Sequence, residues 1–324
     1  MINETAKACE NVDFDNGVSM VREELERVLL SAPGAIRSQT GHLAKSKGKL
    51  IRAASLLACA ENNDGTIPRD AVRLASSVEL LHLATLVHDD VIDNADMRRG
   101  LPTLQKKFGG RSAVLCGDYL FCLALRIASG VDRKQEYSGL ELPDYMGRVC
   151  LGELRQSMNN RNFELSVYRY LSIISGKTAA LFEAAFYAGA MLCDDAKAEA
   201  RLYSRLGHYA GMIFQLTDDC IDYESSREAA KKPVLSDFEQ GVITLPLIYT
   251  FKKKEEIKKK AKSKKLTKEE TNAAVLDAGG LFYTRLVARR YYDKALGIIN
   301  KLNAGGEKKA RLTSILDKAF KGLS

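Results

Sequence analysis

The chain has 324 residues, with 49 Lys plus Arg against 41 Asp plus Glu and a formal charge of +8 at pH 7. A hydrophobic fraction of 46% supplies a core, and a charged fraction of 28% is that of an ordinary globular chain, so disorder is excluded. Ten of the basic and two of the acidic residues fall in 252–268, leaving 39 of each elsewhere, so the basic balance implies no chain-wide nucleic-acid surface.

In chain order, the N-terminal MINETAKACENVDF mixes acids with bases and has no apolar core, so no signal peptide is expected. Pro68-Arg69-Asp70 reads as a helix start, and Leu74, Val78, Leu81, Thr85 and Val87 then recur near a 3.6-residue spacing. No proline falls between 143 and 233, an interval of Ala, Leu, Glu, Arg and Tyr that favours long helices. Leu202, Leu206, Tyr209 and Ile213 repeat the helical spacing within it. No stretch free of Asp, Glu, Lys and Arg exceeds twelve residues, the length of 206–217, short of the roughly 18 that a spanning helix needs. The lysine run reads as a solvated helix end or loop, and Thr267 to Glu270 reads as a capping box. The seven cysteines are scattered without a Cys-x-x-Cys pair and do not combine with the four histidines at zinc spacing, so reduced thiols in a cytoplasmic protein are expected. With no repeat and no linker, the expectation is one all-α domain over 1–324.

Two octets stand out, LVHDDVID (86–93) and QLTDDCID (215–222), each an Asp-Asp-x-x-Asp after an apolar turn. On a helix Asp89 and Asp93 lie one above the other, as do Asp218 and Asp222, and two like charges at that spacing need a compensating cation. Mg²⁺ suits them, since it takes oxygen ligands and commonly binds one or two carboxylates together with substrate phosphates. Around them lie Lys45, Lys47, Lys49, Arg52, Arg98-Arg99-Gly100, Gly176-Lys177-Thr178 and Lys231-Lys232, a cation set for a highly charged anion such as a diphosphate. Gly176-Lys177-Thr178 lacks the upstream glycine of a P-loop and sits in a helical context, so that reading fails.

These residues resemble the trans-isoprenyl diphosphate synthases (polyprenyl synthetases), most of all their long-chain members. The resemblance rests on HLATLVHDDVIDNADMRRGLPT (82–103), GDYLF (117–121), GELRQ (152–156), GKTAALF (176–182), FQLTDDCIDY (214–223) and KPVLSDFEQGVITLPLI (232–248), in that order. It implies a bundle of long helices around a central diphosphate-binding cavity, the isoprenoid synthase fold. The implied reaction is a Mg²⁺-dependent prenyl transfer in which an allylic diphosphate ionises and its cation adds to isopentenyl diphosphate. Two or three Mg²⁺ ions are implied, with Mn²⁺ as a substitute. Carried over residue by residue, Asp89, Asp90, Asp93, Asp218, Asp219 and Asp222 form the metal set, with Asp219 in a supporting role. Lys49, Arg52, His82 and Arg99 match the isopentenyl diphosphate positions, and Arg98, Lys177, Thr178, Gln215 and Lys232 those around the allylic diphosphate. The family's Gly-Gly-Lys-Arg-x-Arg-Pro appears as Lys47-Gly48-Lys49-Leu50-Ile51-Arg52-Ala53, so a basic residue and a proline are replaced, and Val242 stands where a lysine is common.

The resemblance also bears on product length, because bulky residues four or five positions before the first cluster form a floor in short-chain members. Those positions are Thr85 and Ala84 here, with Leu81, Val78 and Leu74 continuing the line over about 16 Å. A long-chain product of roughly C30–C45 is the expectation, with a farnesyl or geranylgeranyl synthase as the alternative. A terpene cyclase, a subunit that works only with a partner chain, and a nucleic-acid binder are the rival readings. A homodimer is implied, with a heteromer left open and peripheral membrane contact through the lysine run as a further option.

Overall fold

The computed structural model describes residues 11–46, 48–131, 144–224 and 236–320. The expected helix ends are present for the expected reasons. Pro68 stands at the N-cap of the Arg69–Ile92 helix, and the Lys268–Ala278 helix carries a complete capping box between Thr267 and Glu270. The all-α expectation holds. Among the described residues the pairing of strands is confined to Met97–Arg98 with Leu101–Pro102 and a single bridge between Val12 and Ile67.

The chain forms two compact units. The first comprises Met1–Pro143, Ala184–Ser204 and Leu302–Leu312. Its centre is the packing of the Arg69–Ile92 helix against the Gly110–Ser129 helix, where Leu80, Ala84, Val87, Ala113, Cys116 and Leu120 bury one another. Gly117 makes the approach close, since a Cβ there would lie 2.2 Å from His88 Nε2. The Gly110–Ser129 helix is long and apolar enough by composition to cross a bilayer. The count of charge-free residues missed it because Arg111, Asp118 and Arg126 interrupt the run. Its buried face packs as a core helix of this unit, while Leu115 and Leu125 on its other face are exposed.

The Ile51–Ala60 helix of the same unit is held at both ends by side chains from elsewhere in the sequence. At its C-terminus the buried Lys308 ammonium donates to the carbonyl oxygens of Cys59 (2.8 Å) and Glu61 (2.7 Å), satisfying acceptors that a helix end leaves open. Arg311 grips the Glu61 carboxylate with two bonds of 3.0 and 3.1 Å. Along its flank Gly189 lets backbones touch, because a Cβ there would lie 2.3 Å from the Leu56 carbonyl oxygen.

The second unit comprises Asp144–Glu183, Arg205–Lys301 and Thr313–Ser324. Ile173, Ile174, Leu216, Leu247, Val275 and Ala288 lie at its core. The lysine run closes its periphery as parts of the Leu245–Lys253 and Glu255–Lys262 helices and the turn that follows. It is solvated, as expected, with most of its lysines exposed and several of them paired. Lys258 and Lys262 both grip Glu164, at 2.5 and 2.7 Å, Lys260 pairs with Glu270 at 3.0 Å, and Lys268 with Glu239 at 2.6 Å. Such surface pairs contribute little stability each, and the acids they use lie outside the run. Replacing Gly189→Ala in the first unit is expected to cost about 1–3 kcal/mol by forcing backbones apart, read as a lower urea midpoint.

Candidate active site

Both Asp-Asp-x-x-Asp sequences lie at the C-terminal ends of long helices, Arg69–Ile92 and Ala200–Glu224. Carboxylates are unfavourable there, because the helix end carries partial negative charge, at a cost of about 0.3–1 kcal/mol each. Asp93 is the C-cap of the first helix, and its N–H still donates to Asp89 O at 2.8 Å, so the stacking of the two carboxylates survives the helix end.

Asp90 of the expected metal set meets a partner within the protein. It is rotated about 100° from Asp89 and takes the Arg98 guanidinium at 2.7 Å. Burial raises its pKa while Arg98 pulls it back down. Asp219 is likewise committed within the protein. It is fully buried, accepts hydrogen bonds from Tyr170 Oη and from Gln215 Nε2 (3.0 Å), and burial pushes it up to about 7. Asp89, Asp93 and Asp222 are part-exposed and Asp218 is exposed. The donor set therefore fits a hard cation at the outer carboxylates, with the inner ones as supports. Among the described residues no three His, Cys, Asp or Glu side chains converge into a ready-made cage.

The cations of the first unit gather beside its carboxylates. Arg98-Arg99-Gly100 forms the tip of the small hairpin, with positive φ at both Arg99 (50°) and Gly100 (78°), as a tight two-residue hairpin turn requires. Arg99 reaches Gly48, where an added Cβ would lie 3.3 Å from Arg99 Nη1. Leu50 is also left-handed (φ 51°) and turns its side chain into the core, leaving Lys49 exposed and bringing Arg52 into the first turn of Ile51–Ala60. Arg52 is buried, and burial lowers its pKa to about 10 although Glu79 acts to raise it. His82 stands in the field of Arg52, Arg99 and Arg98, and burial together with these charges holds its pKa well below the usual histidine range. The imidazole is therefore neutral at pH 7 and offers one donor and one acceptor.

In the second unit Gly176-Lys177-Thr178 lies in a helical stretch, as expected, but not in regular α-helix. Residues Ser175–Ala179 form a π-turn between the Val167–Ile174 and Ala180–Leu192 helices. Two glycines admit the wider backbone. A Cβ on Gly152 would lie 2.2 Å from Lys177 N, and one on Gly211 would lie 2.5 Å from Ala179 Cα. The turn places Thr178 Oγ1 2.6 Å from Gln215 Oε1, to which it donates, so Thr178, Gln215, Asp219 and Tyr170 form one hydrogen-bonded chain. Lys177 pairs with Glu153 at 2.9 Å.

The two chain-length positions separate. Thr85 lies on the Asp89 face and is part-exposed, whereas Ala84 is fully buried in the packing with Gly110–Ser129, and Leu81 borders that cluster. Lys232 lies outside the described residues, as does Lys47. Glu79, Glu153 and Tyr170 were not anticipated. Glu79 carried a signal, being the single acid inside the apolar run from Leu74 to Val87. Tyr170 and Glu153 carried none, since their partners are distant in sequence.

The chain belongs to the polyprenyl synthetase family, whose model matches residues 34–278, and it is a prenyltransferase. It is similar to heptaprenyl diphosphate synthase component 2 of Geobacillus stearothermophilus, 34% identical over 89% of this chain and 91% of that one. Among solved structures it resembles heptaprenyl diphosphate synthase from Staphylococcus aureus, with a TM-score of 0.85, 30% identity, and coverage of 96% of this chain and 99% of that one. A polyprenyl synthase from Caulobacter crescentus CB15, complexed with calcium and isoprenyl diphosphate, superposes with a TM-score of 0.84 at 28% identity, over 96% of this chain and 95% of that one.

Two predictions follow from the geometry. Because the folded pKa of His82 lies below its unfolded value near 6.5, its contribution to stability is present above about pH 6.5 and is lost as pH falls. The His82→Gln variant is expected to lose stability less steeply than the parent between pH 7 and 5, measured by denaturant unfolding. Gly152→Ala should push the Lys177 backbone away, lowering turnover at least about tenfold if the displacement costs about 1.4 kcal/mol at the transition state, measured by steady-state kinetics.

Proposed function

We propose that this prenyltransferase joins isopentenyl diphosphate head-to-tail to an allylic diphosphate and repeats the step to an all-trans, long-chain product of about C30–C45, a range set by the number of five-carbon units that the small Thr85 face admits. The observation that carries the reading is the pair of stacked carboxylates at each of two helix C-termini, accompanied in each unit by cations suited to a diphosphate. The heptaprenyl names of the relatives support the long product.

Asp89, Asp93, Asp218 and Asp222 would hold the divalent ions, two or three Mg²⁺ with Mn²⁺ as a substitute, while Asp90 and Asp219 brace the clusters. Bound Mg²⁺ supplies neutralisation of the charge that develops on the departing diphosphate. Lys49, Arg52 and Arg99 bind the diphosphate of isopentenyl diphosphate, and neutral His82 adds a hydrogen bond without adding charge. Arg98, Lys177, Thr178, Gln215 and Lys232 orient the allylic diphosphate. Its C–O bond breaks, the allylic carbon bonds to the isopentenyl double bond, and the released diphosphate accepts the proton lost from the adduct. No protein nucleophile is required.

We read the working form as a cytoplasmic homodimer. A second reading, activity only with a different partner chain, is favoured by the similarity to a protein named as component 2. The purified chain, given Mg²⁺, an allylic primer and isopentenyl diphosphate, is expected to yield C30–C45 products by chromatography. Accumulation of C15 or C20 alone would refute the long-chain reading, and incorporation only on adding a second chain would favour the heteromer. Thr85→Phe should shorten the product by placing a ring on the Asp89 face, whereas Ala84→Phe should act through disturbed helix packing.

A further inference from the structure

We propose that Glu79 is a positioning residue for the isopentenyl diphosphate site: from the Arg69–Ile92 helix its carboxylate caps the N-terminus of the Ile51–Ala60 helix and holds Arg52 in place beside Arg99. The inference rests on the assignment of that site in the proposed function and adds to it the group that keeps the site assembled.

The Ile51–Ala60 helix begins without a cap of its own. Its N-cap is Leu50, which has no capping oxygen, and no local side chain replaces it. The carboxylate of Glu79 takes that place from another helix, accepting the Ala53 N–H at 3.0 Å. This bond exists because position 53 is an alanine, since the proline of the family pattern has no N–H to give. A carboxylate at a helix N-terminus also meets the positive end of the backbone dipole.

The same group answers a charge problem. Arg52 is buried, Arg99 acts on it as a like charge, and Arg98 and Arg99 both act on neutral His82, so without substrate the cations repel one another. Glu79 is the buried carboxylate whose field opposes that repulsion, acting on both Arg52 and Arg99. Burial raises its pKa and the two arginines lower it, so its charge and theirs are mutually sustained. A cap supplied by a charged side chain and directed at the turn that carries Arg52 links helix position to cation position.

The test is steady-state kinetics of the full-length protein with each diphosphate varied in turn, for Glu79→Ala, Glu79→Gln and, as reference, Arg52→Ala. Glu79→Ala is expected to raise KM for isopentenyl diphosphate about tenfold or more, the equivalent of one charge-assisted hydrogen bond, with kcat and the allylic KM within about twofold. Glu79→Gln keeps an acceptor for Ala53 N–H but no charge, and should give an intermediate KM with a thermal midpoint close to the parent's. It carries the test should the alanine variant not fold. An unchanged isopentenyl KM in both variants, or equal losses in both KM values and kcat, would overturn the positioning role. If Arg52→Ala leaves that KM unchanged, the site assignment itself is wrong and the inference fails with it. A raised KM in Arg52→Ala with none in the Glu79 variants refutes the inference alone.

Discussion

Negative charge at the wrong end of a helix is the condition on which this protein's site depends. The Arg69–Ile92 helix is capped by Asp93, and the Ala200–Glu224 helix carries Asp222 in its last described turn, against the partial charge that helix carbonyls present. The inner member of each cluster is held within the protein. Asp90 takes Arg98, and Asp219 takes Tyr170 and Gln215. Asp89, Asp93 and Asp222 are part-exposed and Asp218 is exposed, which suits the proposed role of holding a divalent cation together with a diphosphate.

Backbone conformations that cost energy gather at the same places. Leu50 and Arg99 sit in the left-handed region, a cost of order 1 kcal/mol or more for a side chain with a Cβ. Each delivers something a relaxed backbone would not. Leu50 reverses the chain so that Lys49 stays exposed while Arg52 enters a helix, and Arg99 forms a hairpin tip against Gly48. In the second unit the π-turn at Ser175–Ala179 does comparable work by shifting Lys177 and Thr178 out of α-helical register, and the absent Cβ atoms of Gly152 and Gly211 make room for it. Packing around these segments, the buried clusters with the helix caps, supplies the stability that tolerates them.

Anion recognition in the first unit is a matter of balance as much as of positive charge. Burial of His82 and the charges of Arg52, Arg99 and Arg98 hold its pKa down, so it stays neutral and can act as a hydrogen-bonding group with no charge to desolvate. The carboxylate of Glu79 lies within the same field.

The all-α class, the two carboxylate clusters and most of their cations were legible in the amino-acid order, because helical spacing, prolines and Asp-Asp-x-x-Asp are local patterns that a helix converts directly into geometry. The capping box at Thr267 was local in the same way. Tertiary structure alone decided what each group in those patterns does. That Asp90 and Asp219 are braces, that Gly176-Lys177-Thr178 occupies a π-turn, that Ala84 and Thr85 part company, and that the lysine run is laced to Glu164 and Glu239 all depend on neighbours far away in sequence. A composition or a spacing records how many charges a chain has and which helix face they share. Burial and the identity of the partner set their pKa and their role, and both come from packing between elements.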